Sequence, residues 1–348
     1  MLTVAIVTRN AIHGGVESMI AMHQRYLNAM VFVAGGYNRP DTCPFRYVYL
    51  DDHDPVMSAQ RLLRYLRGFD VIIYHWLPEW AVEAVRAADR PCIEFVHRDD
   101  TSENDKTVPD AILTHSQYLA DFIRESFSRS AFVAPHGIDT ERFVPGRSSH
   151  CVGGLSSYVP TKGISTVLDA WAVVEHQLPS SIRLRYYGSG PDLPVFEHQV
   201  REKSIKRVEL LGPTLLPERH LPEFSLFVQP SIAEGLPIAI LEALACDIPV
   251  IGSEIDPLIE FNRLGAERGF PDLLQLVRPG DVYQLADTIR ESLDAPERRG
   301  MRAYISKYYG PAIHMSVIWD GIRVAMSTRA KVGSSFAVGA ASRAGNGR

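Results

Sequence analysis

The sequence predicts an α/β protein built from two doubly wound parallel sheets in tandem, and three observations predict it. Apolar runs of strand length alternate with amphipathic runs of helix length over almost the whole chain, the pattern of successive βα units. Most strand-length runs are continuous Val/Ile/Leu stretches, as expected when helices cover both faces of a parallel sheet. The 348 residues exceed one ordinary core, and the polar, turn-rich Pro145-Gly146-Arg147-Ser148-Ser149 interrupts the series before it starts again.

Taken in order, a first domain over 1–147 is expected to hold strands at 2–8, 31–34, 46–50, 71–74, 92–96, 111–114 and 131–134. Helices at 17–27, 57–67, 79–88 and 117–127 lie between them. A second domain over 148–311 repeats the pattern, with strands at 151–154, 183–187, 208–211, 226–229, 249–252 and 274–277. Its helices are expected at 165–177, 193–203, 238–245, 282–293 and 296–308. Pro237 fits the start of the helix at 238, because the N–H that proline lacks would be unpaired there anyway. The stretch 312–327 reads as one more helix, and 329–348, rich in Gly, Ser and Ala with only Phe336 to bury, as a disordered tail.

Bulk properties narrow the function. Hydrophobic residues make up 46% and charged residues 22%, with a formal net charge of -5, so nothing indicates nucleic-acid binding. Cys43, Cys92, Cys151 and Cys246 show no metal or redox spacing and fit buried thiols in a reducing cytoplasm. No stretch is apolar enough for long enough to span a bilayer, and the chain opens on a strand rather than a signal core. The protein is expected to be soluble and cytoplasmic. Arg61, Arg64 and Arg67 share one face of the helix at 57–67 and could graze anionic lipid, although a solvated surface helix is the plainer reading. Asp52–Asp54 and Asp99-Asp100 read as loop charges, and no metal is expected.

Ligands bind open parallel sheets beyond the carboxyl ends of the strands. The loops after Thr8, Tyr74, Val96, Gly154, Tyr187, Leu211, Gln229 and Gly252 are therefore the informative ones. After Gln229 comes Glu234-Gly235-Leu236-Pro237-Ile238-Ala239-Ile240-Leu241-Glu242, two acids eight apart across the start of a helix. Gly235 lets backbone approach a ligand closely. The helix start offers free N–H groups and a positive dipole end, which suit a diphosphate. Carboxylates repel phosphate and match neutral hydroxyls on either side of it. Such a ligand is a nucleotide sugar.

The other loops carry weaker signals, each with an ordinary structural alternative. Gly14 and Gly15 permit close approach to a substrate or simply make a tight turn. Lys162 reaches a phosphate as a point charge or is a solvated loop lysine. Gly188, in Gly188-Ser189-Gly190-Pro191, thins a cleft wall or serves the turn. His97 bonds a sugar hydroxyl or a developing charge, or is a satisfied structural histidine. His75-Trp76 forms an aromatic wall for a sugar or belongs to the core.

With these residues in hand, the chain resembles glycosyltransferase family 4, from Leu2 to about Ser327 and most strongly in the second half. His13-Gly14-Gly15-Val16-Glu17 resembles that family's Gly-Gly-x-Glu loop, and Pro135-His136-Gly137-Ile138-Asp139 its interdomain signature. Gly188-Ser189-Gly190-Pro191 is similar to its Gly-x-Gly-Pro turn, and Glu234 to Glu242 to its Glu-x7-Glu block, continuing through Ile251. The resemblance implies the GT-B fold, two Rossmann-like domains facing across a central cleft, with 312–328 crossing back to the first domain. It implies that Glu234 contacts donor-sugar hydroxyls, with the backbone of Gly235, Leu236, Pro237 and Ile238 near sugar and phosphate. Glu242 would hold the ribose, Lys162 would offset diphosphate charge, His97 would bond the donor sugar near the reacting carbon, and Thr214 would lie near the base. One departure is length, the stretch 155–161 being longer than usual, and two more are substitutions. Gly154 occupies the place of the family's arginine, a second cation on the diphosphate, whose loss weakens leaving-group stabilisation; Arg147 or Arg183 could substitute. Asp256-Pro257 replaces a Gly-Gly pair.

The expected function is transfer of a sugar from a nucleoside-diphosphate donor to a hydroxyl acceptor, glycan, lipid-linked or protein, with retained anomeric configuration. No cofactor beyond the donor is expected. The rivals are a nucleotide-sugar epimerase on the same fold and a nucleotide-sugar- or glycan-binding protein that has lost catalysis. A nicotinamide dehydrogenase fits less well, because neither first strand-turn-helix carries Gly-x-Gly-x-x-Gly.

Overall fold

A computed structural model describes residues 2–11, 14–36, 38, 41, 43–51, 53–99, 106–146, 150–295 and 300–344, with side chains as far as Lys331. The chain forms two compact units, Met1–Ala134 together with His314–Arg348, and Pro135–Ile313.

In the first unit the order is β1 (Val4–Thr8), α1 (Gly15–Leu27), β2 (Met30–Ala34), β3 (Tyr47–Leu50), α2 (Pro55–Leu66), β4 (Val71–His75) and α3 (Glu79–Ala88). It continues through β5 (Cys92–Phe95), β6 (Ala111–Thr114), α4 (Gln117–Phe127) and β7 (Phe132–Val133). The seven strands are parallel in the order β3-β2-β1-β4-β5-β6-β7. Every residue of β1, β4, β5 and β6 is buried, which is why those runs carry no polar alternation. Side-chain caps start the helices where the sequence offers them: Asp54 accepts from Met57 N at 3.0 Å and Ser116 from Leu119 N at 3.3 Å.

The second unit holds β8 (Cys151–Leu155), α5 (Ile164–Val174), β9 (Arg183–Tyr187), α6 (Leu193–Glu202), β10 (Val208–Leu211), α7 (Pro217–His220) and β11 (Leu226–Gln229). It continues through α8 (Ile238–Ala245), β12 (Val250–Ser253), α9 (Asp256–Glu267), β13 (Gln275–Val277), α10 (Val282–Asp294) and α11 (Met301–Tyr308). Its sheet, also parallel, runs β10-β9-β8-β11-β12-β13. Each unit is thus a Rossmann-like doubly wound sheet, with the strand order reversing between β1 and β4 in one and between β8 and β11 in the other.

Four boundaries differ from the sequence reading. The second unit begins at Pro135 rather than at 148, because Ile138 and Phe143 are buried in its core with Leu236, Ile240 and Tyr304. Helix α9 was not expected; Asp256-Pro257 reads as a loop but occupies a first helical turn, where an acid and a proline are both favoured. The helix expected from 296 begins at Met301, residues 296–299 lying outside those described. The last helix, α12, spans Pro311–Ala344, since nothing as disruptive as proline follows Pro311 to stop it where the tail was expected. From His314 onward α12 belongs to the first unit, where Met315, Ile318, Ile322 and Ala325 are buried with Val4, Ile6, Ile20 and Phe95.

Candidate functional site

The reversal point of the second sheet lies between β8 and β11, and the loops that leave these two strands carry Lys162 and Glu234. Lys162 ends a single 3-10 turn at Pro160–Lys162. Gly163 follows with φ 68, and a Cβ there would sit 2.1 Å from the carbonyl oxygen of Pro230, the residue leaving β11. Only glycine lets the two loops close this far. A backbone bond from Ile232 N to Thr161 O at 2.7 Å ties them together. The result is an ion pair, Lys162 Nζ to Glu234 Oε1 at 2.6 Å, with Gln229 Nε2 donating to the same oxygen at 3.1 Å.

Gly235, Leu236 and Pro237 are buried and Ile238 half-buried. The Leu236 side chain lies in the core, so this residue can meet a ligand only through its backbone. Its carbonyl accepts a 3.0 Å bond from His136 Nε2, the buried histidine of the Pro-His-Gly-Ile-Asp stretch. Pro237 is the extended residue before α8, and no side chain caps the first turn of that helix. Its leading N–H groups keep their capacity for an anion.

Glu242 lies one turn further in and is 7% exposed. Burial pushes its carboxyl up to about 8, opposed by the Arg142 guanidinium and reinforced by Glu218. Arg142 and Glu218 pair at 2.7 Å. Glu218 rides on α7 with His220, which lines a surface pocket of about 390 Å³ together with Tyr187, Leu211 and the 212–216 loop that holds Thr214. The Tyr187 and His220 rings lie 4.4 Å apart. Sequence reasoning missed Gln229, Arg142, Tyr187 and His220. An aromatic residue at the carboxyl end of β9 was the available signal for Tyr187; Arg142 pairs with Glu218, 76 residues away, His220 lies on unrecognised α7, and Gln229, five residues before Glu234, ends a buried strand with no signal of its own.

Packing explains the glycines of this unit. A Cβ at Gly188 would lie 1.8 Å from Ser156 O, and one at Gly190 2.2 Å from Tyr158 O. The buried Tyr158 hydroxyl sits 2.7 Å from the carbonyls of both Tyr186 and Leu211, pinning the long loop after β8 to the ends of β9 and β10. Gly154 points at Val228 O and the Tyr186 ring, at 2.9 and 3.0 Å from a would-be Cβ, so no arginine fits there. Arg183 does not replace it: it opens β9, at the sheet end opposite the ligand loops, and lies 3.9 Å from Glu209. Arg147 falls outside the described residues.

The first unit is organised likewise around its own reversal point. Gly14 precedes α1 in extended conformation, and a Cβ there would lie 2.6 Å from the carboxylate of Glu17, a buried acid that burial pushes up to about 7. Gly15 opens the helix; His13 lies outside the described residues. His97 has both ring nitrogens engaged, Nε2 at 3.0 Å from His75 Nδ1 and Nδ1 at 2.9 Å from His115 Nε2. Burial, and then the Arg98 charge, lowers its basicity to about 3. The imidazole is therefore neutral, and it can bond a sugar only by parting from one histidine neighbour. His23 and His314 meet at 2.6 Å, each ring 6.2 Å from that of Phe95. Among the described residues no group of His, Cys, Asp and Glu has the arrangement of a metal site. Asp52 and Asp100 fall outside the described residues.

Comparison with known proteins sharpens this picture. Residues 147–295 match the family described as Glycosyl transferases group 1. An uncharacterized glycosyltransferase of Methanocaldococcus jannaschii is 26% identical over 176 residues, 49% of this chain and 48% of that protein. The poly(ribitol-phosphate) alpha-N-acetylglucosaminyltransferase of Staphylococcus aureus is 28% identical over 51% of this chain and 35% of its own length. The matched stretch thus spans at most about half of these curated relatives. Among solved structures, Anabaena HepE in complex with UDP-glucose superposes with TM-score 0.74 at 16% identity, covering 92% of this chain and 99% of that one. Sucrose-phosphate synthase of Thermosynechococcus elongatus gives TM-score 0.65 at 17% identity over 98% and 100%. The fold is that of the GT-B glycosyltransferases, and the sequence matches support a glycosyltransferase.

Proposed function

We propose that this protein is a retaining glycosyltransferase that moves a hexosyl-type sugar from a nucleoside-diphosphate donor to a hydroxyl of a glycan, lipid-linked or protein acceptor. The observation that carries the reading is the Lys162–Glu234 pair at the reversal point of the second sheet, beside the uncapped start of α8. Glu234 accepts from donor-sugar hydroxyls. Lys162, on a flexible stem, transfers its charge from Glu234 to the diphosphate as the glycosidic C–O bond breaks, and the α8 N–H groups share that charge. Glu242, protonated at neutral pH, both donates to and accepts from ribose hydroxyls without opposing the phosphates. The Tyr187–His220 pocket with Thr214 receives the base by stacking.

In the first unit, Gly14 and Gly15 leave the α1 start open to the substrate, and His97 bonds the donor sugar as a neutral imidazole. Attack from the same face places the acceptor oxygen beside the leaving phosphate, which takes the acceptor proton; no side-chain nucleophile and no metal is required. HepE has been crystallised with UDP-glucose, and a mannosyltransferase of Mycolicibacterium smegmatis similar to this chain is named GDP-mannose-dependent; both names support a nucleotide-sugar donor. The four thiols, none in a disulfide, support action in the cytoplasm. Among the described residues no helix is long and apolar enough to cross a membrane, so contact with a lipid-linked acceptor would be peripheral.

The test is turnover with UDP- and GDP-sugars, after a thermal-shift screen of nucleoside diphosphates has selected the base. Glu234→Ala and Lys162→Ala should each lower kcat by about 100-fold or more, the scale of losing one preorganised electrostatic group. Unchanged rates in both variants refute the reading, and donor conversion without any acceptor would identify an epimerase instead.

A further inference from the structure

Gln229 closes β11 as a buried polar residue, 4% exposed. Its neighbours Phe227 and Val228 are buried in the cores on opposite faces of the sheet. Side chains alternate along a strand, so Gln229 shares the face of Phe227, which is buried with Leu236 and with Ile240 of α8. One arm of its amide lies 3.1 Å from Glu234 Oε1. A carboxylate only accepts, so that arm is the NH2 group and the other is the carbonyl. The carbonyl oxygen is buried and has no hydrogen-bond partner among the described residues. Burying an acceptor without a partner is costly, and an apolar side chain here would escape that cost. Such a group points to a partner that arrives from outside the chain.

Glu234 offers a second acceptor close by. The bonds from Gln229 and Lys162 both end on its Oε1, and Oε2 accepts none among the described residues. Lys162 is the exchangeable donor, a point charge on a flexible four-carbon stem, whereas Gln229 is fixed on a buried strand. When the ammonium turns to a diphosphate, Gln229 still holds the carboxylate, and the space beside both residues opens. We propose, resting on the glycosyltransferase reading above, that Gln229 is a further donor-sugar contact. Its carbonyl and Glu234 Oε2 accept from two hydroxyls on neighbouring carbons of the transferred sugar, and so select a donor that carries both. A site built to bond a hydroxyl rejects the analogue that lacks it, because a buried polar group is then left unpaired.

The test sets turnover of the UDP- or GDP-sugar that the protein converts against turnover of its monodeoxy analogues. Wild type is compared with Gln229→Met, a swap of similar shape that lacks the carbonyl. In wild type, two of the analogues should lose about tenfold or more in kcat/KM. Gln229→Met should lose about tenfold on the complete donor. It should then convert one of those two analogues as well as the complete donor. The other, which lacks the hydroxyl bonded to Glu234, keeps its penalty. Affinities for UDP and GDP should stay unchanged. A wild type indifferent to every deoxygenation overturns the contact, whether or not the variant folds. So does full activity in Gln229→Met, or an equal loss on every donor, which would leave Gln229 a positioning residue for Glu234 alone. A parallel loss of nucleotide affinity overturns it too, by assigning Gln229 to the diphosphate. A wild type that converts no UDP- or GDP-sugar refutes the glycosyltransferase reading and this contact together.

Discussion

In the proposed donor site Glu242 would lie near the diphosphate held by Lys162 and the start of α8. Ionised and buried beside a diphosphate it would be repelled, but burial holds it protonated until about pH 8. The cost follows from linkage. Between the ordinary carboxylate value and pH 8 the folded protein keeps a proton that the unfolded chain has released, so stability falls as pH rises through that window. Glu242→Gln removes the proton from the balance. Urea midpoints of wild type and Glu242→Gln should agree below about pH 4 and diverge above it, the variant gaining a few kcal/mol by pH 8. A constant difference across the range would mean that the carboxyl titrates normally. Donor KM near neutrality should change little, because an amide also donates and accepts.

At the scale of elements, the two loops leaving β8 and β11 form one unit, and Gly163 is its hinge pin. In Gly163→Ala the methyl meets the Pro230 carbonyl at 2.1 Å with φ 68 already disfavoured. The left-handed backbone costs about 1–2 kcal/mol, and the collision separates the loops and parts Lys162 from Glu234. Donor turnover should therefore fall more steeply than the stability loss explains, as seen by comparing kcat/KM with urea midpoints; equal falls would make Gly163 a purely structural residue. Much of this architecture was legible beforehand. The strands Arg183–Tyr187, Val208–Leu211 and Leu226–Gln229, and helix α8, lie where apolar runs and the Gly-Leu-Pro start place them. Helix α9 was not legible, because Asp256-Pro257 suits a loop and a first helical turn equally well. Nor was the His75–His97–His115 chain, whose members are spaced 22 and 18 residues apart and meet only through the alignment of β4, β5 and β6. Glu234 and Lys162 could be nominated singly, but their bond spans 72 residues and appears only in the fold.

On the scale of the whole molecule, the first unit is assembled from both ends of the chain, and its titrating groups set a distinctive acid response. Burial lowers the basicity of His75 and His97, His97 to about 3, while it raises Glu17 to about 7. The two histidines bind protons in the unfolded chain below the ordinary histidine value but not in the fold, so each removes stability as pH falls, at about 1.4 kcal/mol per pH unit. Glu17 acts in the other sense, binding its proton in the fold between the ordinary carboxylate value and about 7, and so offsets one histidine over that interval. Below about pH 4.5 the offset ends and His97 acts unopposed. The urea midpoint of the first unit should then decline from about pH 6.5 and more steeply below about pH 4.5. Trp76, Trp80 and Trp319 all belong to the first unit and Trp171 to the second, so tryptophan fluorescence of a Trp171→Phe variant follows the first unit alone. His97→Gln should make the steep limb shallower, since the amide carries no titrating proton. A single straight decline, unaltered by His97→Gln, would show that these imidazoles exchange protons freely with solvent and that the stacked chain around Phe95 is looser than its 2.9 and 3.0 Å contacts imply.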